Sequence, residues 1–143
     1  MNNCLLFNLE IKQFKVPQMY RIEKIKENRF YIKALGTFPP SVAKRFIKDF
    51  NKKTKKLNEL SVIVDGLDFI LLNLESFEII LNFLKKNNDR LNRSAWIISS
   101  NPPLDKEIQI LLDKAKSPKR KIVSNLSEAK EWIGVSDIII EKE

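Results

Sequence analysis

Leu60, Ser61, Val62, Ile63 and Val64 form a short, β-branched and almost wholly apolar run. Such a run has no polar side to turn toward water, so it suits a central strand covered on both faces. Asp65, Gly66, Leu67 and Asp68 follow, and from about Leu74 to Lys86 the apolar positions Phe77, Ile80, Leu81 and Leu84 recur every three or four residues. That spacing makes one stripe of an amphipathic helix. A buried strand ending at an aspartate, a loop and a one-sided helix confine the chain to folds that cover a sheet with helices. In such folds the working surface lies beyond the carboxyl ends of the strands.

The same unit recurs downstream. Residues 94–99, with Ala95, Trp96, Ile97 and Ile98 inside, predict a second buried strand. Asn101, Pro102 and Pro103 then supply an N-cap and two prolines suited to a first turn. Leu104, Ile108, Leu111, Leu112 and Ala115 give that helix its stripe, and Lys116, Ser117 and Pro118 stop it. Ile122 and Val123 form a short strand. Asn125 with Glu128 has capping-box spacing, opening a last helix through Trp132 that Gly134 ends.

Upstream, residues 19–24 and 29–35 predict an antiparallel hairpin joined by residues 25–28, with Tyr20 and Ile22 facing Phe30, Ile32 and Ala34. Gly36 ends it, and Pro39, Pro40 and Ser41 open a helix with Val42, Ala43, Phe46, Ile47, Phe50 and Leu57 on its inner side. Leu5, Phe7, Leu9 and Ile11 alternate over residues 5–11 as in a strand that Pro17 ends. Asp137, Ile138, Ile139 and Ile140 admit an edge strand. The expected class is α/β, a single domain with a mixed β-sheet of about five to six strands and about four helices packed mainly on one face. Residues 1–18 form an N-terminal strand segment, 19–134 the domain and 135–143 a tail. At 143 residues and 43% hydrophobic, the chain can bury a core without staples.

Composition narrows the chemistry. The sequence contains no histidine, which removes histidine catalysis and the common zinc sites. Cys4 is the lone cysteine, and three glycines are too few for a phosphate cradle. No metal, cofactor or catalytic set is implied. A receiver-type phosphoacceptor at Asp65 would need an acidic pair after an earlier strand, and none follows residues 31–35; a cap on the turn into Gly66 fits better. Ser99, Ser100 and Asn101 have no base to activate a serine, so helix capping is their role. Trp96 and Trp132 read as core.

The formal charge is +8, mostly lysine, and a solvated surface accounts for it. The densest basic run is Lys52, Lys53, Lys55 and Lys56, at a helix end where cations complement the dipole. A nucleic-acid phosphate patch there is a subordinate alternative, which predicts salt-dependent affinity. Asn8, Glu10 and Lys12 interrupt the run from Cys4 to Phe7, as expected of a chain with no signal segment. Asp68, Asn73, Glu75, Glu78 and Asn82 break the apolar window of residues 67–84, so no bilayer span is expected. A cytoplasmic location fits.

Two segments resemble a known family. Residues 62–70, Val-Ile-Val-Asp-Gly-Leu-Asp-Phe-Ile, are similar to the strand and loop of STAS domains, the sulphate-transporter and anti-sigma-factor-antagonist group. Residues 122–134, with Ala129 and Trp132, resemble the short strand and Ala-x-x-Trp helix of the SpoIIAA-like branch. The resemblance implies a mixed sheet with helices mainly on one face and a role in protein–protein contact. Members bind an anti-sigma factor or kinase, under control of a serine in an Asp-Ser-Ser-Gly-like loop at a helix N-terminus, where phosphate adds charge.

Here Leu71, Leu72, Asn73 and Leu74 stand at those four positions, and Ser76 is out of register, so the phosphoswitch is absent. The contact surface the resemblance implies is Asp68, Leu71, Leu72, Asn73 and Ser76, facing a protein partner, with edge strands available for a homodimer. On this reading Leu72→Asp weakens partner binding and leaves stability nearly unchanged. The apolar run Phe69, Ile70, Leu71 and Leu72 has three readings: a strand that continues or folds inward, an exposed patch for the partner, or the mouth of an apolar pocket. By analogy with the related Sec14-like lipid-transfer fold, the last makes a carrier of a small apolar ligand or lipid the alternative function.

Overall fold

The computed structural model describes residues 19–70, 72–98 and 102–136. The expected strand at residues 5–11, Leu71, the segment from Ser99 to Asn101 and the tail strand at residues 137–140 lie outside them. Five strands and four helices follow in the order β1 (Tyr20–Lys26), β2 (Arg29–Gly36), α1 (Pro40–Thr54), β3 (Leu60–Phe69), α2 (Leu74–Lys86), β4 (Leu91–Ile97), α3 (Pro102–Ala115), β5 (Arg120–Val123) and α4 (Leu126–Ile133).

The sheet order is β1-β2-β3-β4-β5. β1 runs antiparallel to β2, and the other three pairings are parallel. Parallel neighbours need a crossover, and right-handed crossovers that always step the same way set every connecting helix on one face. The main core accordingly gathers buried side chains from α1, α2 and α3 against Phe30, Ile32, Val62 and Trp96 of the sheet. Aromatic rings dominate it. Tyr20 meets Phe46 edge-on at 5.3 Å, and Phe50 meets Phe83 at 5.4 Å. Burying each such ring contributes roughly 1.5–3 kcal/mol.

α4 makes no crossover and closes the opposite face. Ala129 and Ile133 pack on Ile63, Ala95, Ile97 and Val123. Its ends are fixed locally: Asn125 Oδ1 accepts from Glu128 N at 2.9 Å, and Glu128 reaches back to Ser124 N at 3.0 Å. Gly134 takes the left-handed conformation (φ 78°) that a side chain would strain.

The hairpin register is as the sequence predicts, with Tyr20 opposite Ala34 and Ile22 opposite Ile32. Its turn is shorter than expected, because Ile25 belongs to β1 and is buried under α4. Trp96 is core, whereas Trp132 is half-buried, its ring lying under Arg93 at 4.4 Å and Lys121 at 5.2 Å. The larger correction concerns β3. It does not end at Val64 but runs on to Phe69. Asp65 is therefore inside the strand, 7% exposed, and the loop begins five residues later than the apolar run suggests.

Candidate functional site

Between Lys33 and Leu35 of β2, the partner strand advances from Asp65 to Asp68, three residues against two. This is a bulge in β3, and it turns Asp68 to the side of the sheet already occupied by Asp65. Both carboxylates then meet Lys33 Nζ, at 3.2 Å from Asp65 and 2.9 Å from Asp68. Tyr31 Oη donates to the second oxygen of Asp65, and Leu67 N donates to the first at 3.1 Å. The expected cap on the turn is thus present in that last bond, with two further partners that sequence spacing does not announce. Burial, and then the hydrogen bond to Asp65, push the Tyr31 hydroxyl well above its ordinary range. Burial alone would lower Lys33; its bonds to Asp68 and Asp65 outweigh that and hold it above the usual lysine value. Asp65 thus accepts three hydrogen bonds, two at one oxygen and one at the other.

From the bulge onward, apolar side chains come to the surface. Leu67 is 44% exposed, Ile70 54% and Leu74, the first residue of α2, 77%. Leu74 and Phe77 border an open groove of about 500 Å³ between α2 and α3, whose other wall includes Pro103, Ile110 and Lys114. Asp68 and Asn73 are exposed here, as a contact surface requires. Asn73 also caps α2, accepting from Ser76 N at 2.8 Å.

Two members of the expected surface are turned inward. Leu72 is 9% exposed, packed in the main core, and its N–H donates to Glu107 Oε1 of α3 at 2.8 Å. The run from Phe69 to Leu72 therefore divides, with Ile70 outside and Leu72 inside. The expectation that Leu72→Asp spares stability is corrected accordingly. Ser76 is fully buried and its Oγ has no hydrogen-bond partner, so it offers nothing to a phosphorylating enzyme.

The basic run behaves as a helix end. Lys52, Lys53, Lys55 and Lys56 are all exposed around the C-terminus of α1. The last carbonyls of that helix are met from below by an arginine the sequence did not single out. Arg90 Nη1 donates to Thr54 O at 2.8 Å, and its Nη2 to Thr54 Oγ1 at 2.9 Å. Arg120 repeats the device at the end of α2, donating to Leu84 O at 2.9 Å and to Asn88 Oδ1. Desolvation lowers both guanidinium groups, Arg120 to about 10.

Under the helices lies a cavity of about 100 Å³, floored by Val62 and Trp96 and roofed by Phe50, Phe83 and Leu111. Among the described residues no helix is long and apolar enough to cross a membrane, and no cluster of three or more Cys, Asp or Glu could hold a metal.

No family model and no curated protein matches this chain. A solved structure does: an uncharacterized protein of the DUF3478 family with a SpoIIAA-like fold, from Shewanella loihica PV-4. The TM-score is 0.62, at 17% identity, over 79% of this chain and 90% of that one. The fold is SpoIIAA-like. The resemblance carried by residues 62–70 and 122–134 thus holds at the level of architecture, which is what a likeness at 17% identity carries. In the SpoIIAA-like arrangement seen here, β3 is the central strand, and the helix that follows it begins at the exposed Leu74.

Proposed function

We propose that this chain is a non-enzymatic, cytosolic interaction module that binds a protein partner through residues 67–74 and the groove between α2 and α3. One observation carries the reading: Leu74 stands 77% exposed at the head of α2, with Ile70 and Ile110, on the loop before it and on the far wall of the groove, 54% and 43% exposed. Large apolar side chains gathered on one edge have no folding role there, and burying them against a partner recovers their transfer free energy. Asp68, Glu78 and Lys114 give that edge the polar rim that interfaces keep around an apolar centre. The reading also takes the surface as constitutive. The switch positions carry no serine, and Ser76 is sealed beneath the helix.

A photo-crosslinking residue placed at Leu74 tests this in native cells. It is expected to trap a discrete polypeptide, and Ile70→Asp is expected to abolish the trapping without lowering Tm. The absence of an adduct, or the same adduct from a crosslinker at Lys56 on the far end of the molecule, would overturn the assignment.

A further inference from the structure

The partner surface leaves the interior cavity without a role. Protein interiors pack with few voids larger than a water molecule, whereas this one reaches about 100 Å³. Its size matches about three waters of the bulk liquid, yet water needs several polar partners to stay. The polar groups at its margin are already engaged. Ser94 Oγ accepts from Trp96 Nε1 at 3.1 Å, and Asn87 binds Phe83 O at 2.8 Å and Arg90 at 2.7 Å. The guanidinium of Arg120 is turned to the helix end already described. What faces the space is carbon.

We propose that this cavity is a binding site for a small, uncharged apolar molecule no larger than about a single six-carbon ring. A dry engineered cavity of about 150 Å³ admits benzene or xenon, which sets the scale. Charged head groups are excluded, because the lining is almost wholly carbon and offers no charge to meet one. A long acyl chain is excluded by volume. The site is thus narrower in chemistry than the lipid-carrier alternative, and it does not depend on the partner surface. Leu72, Phe69 and Phe38 are among the residues that line the cavity.

The test uses benzene, with xenon as a second probe, followed by methyl ¹H–¹³C spectra of the whole chain. Saturable shifts are expected at Val62, Ile80 and Leu111, with the exposed Leu74 and Ile110 unmoved. Val62→Phe fills the space and is expected to remove the benzene response while keeping the native spectrum. Should that variant fail to fold, the xenon resonance of the unmodified protein decides alone: a second, slowly exchanging bound signal supports the site. No shift at any lining methyl with either probe, or shifts confined to the outer groove, would overturn it. Leu74→Asp is expected to leave the benzene response intact, so failure of the interaction reading and failure of this one are told apart.

Discussion

Lys33 reaches Asp65 and Asp68 together because one extra residue in β3 puts two carboxylates three positions apart on the same side of the sheet. Residues at odd separation in a regular strand face opposite ways. The bulge, rather than the spacing of the acids, makes the cluster.

The two carboxylates contribute unequally. Asp65 and Lys33 have side chains only 10% and 13% exposed, whereas Asp68 is 67% exposed. Asp65→Ala removes the acceptor of three donors and is expected to cost about 1–3 kcal/mol. Asp68→Ala is expected to cost less than about 1 kcal/mol, as exposed pairs do. Urea unfolding of the two variants checks the order, and equal losses would contradict it.

Alkaline pH probes the same cluster. Lys33 and Tyr31 both hold their protons more tightly when folded, so each contributes stability that is complete below its unfolded value near 10 and is lost as pH rises through the folded one. Tyr20 is also raised, by burial and then by its bond to Asp49. These are the two tyrosines of the chain. Absorbance at 295 nm is therefore expected to show less than half of the tyrosine ionised at pH 10 in the folded protein, with the remainder titrating at higher pH. A half-complete step at pH 10 while far-UV circular dichroism stays native would refute the assignment.

Leu72 and Leu74 should separate cleanly. Leu72→Ala removes buried methyl groups from the main core, with an expected loss of about 2–5 kcal/mol. Leu74→Asp, at a position 77% exposed, is expected to stay within about 0.5 kcal/mol of the parent. Thermal unfolding of both distinguishes the inward residue from the outward one.

Gly66 is held small by β4. A Cβ there would lie 3.0 Å from Ile98 Cδ1 and 3.2 Å from the carbonyl oxygen of Ile97. The methyl group can move but the carbonyl belongs to the sheet, so Gly66→Ala is expected to cost about 1–3 kcal/mol. An unchanged urea midpoint would show that the strands part more easily than their register suggests.

Much of the fold was legible because local signals agree with the tertiary arrangement. Pro40 at the first position of α1, Asn125 with Glu128 and Gly134 each mark a boundary by backbone chemistry alone. The far half of β3 is hidden in the sequence because Asp65 and Asp68 look like a loop, and two of the three donors that make the buried carboxylate tolerable, Tyr31 and Lys33, lie more than thirty residues earlier. The inward turn of Leu72 was equally hidden. Its neighbours are apolar on both sides, and the bond that fixes it comes from Glu107, on a helix the local sequence does not reveal. The caps provided by Arg90 and Arg120 belong to the same class: a carbonyl at a helix end leaves no trace in the spacing of distant arginines.

The strand order has a consequence for synthesis. Each of the four later described strands pairs with the described strand made just before it. Every parallel pairing still closes a loop through a whole helix, an entropic cost that local contacts do not carry. The sheet can grow along one edge as the chain leaves the ribosome, with a new helix covering each added strand. α4, made after all five strands, lays its apolar side over a face that is already assembled.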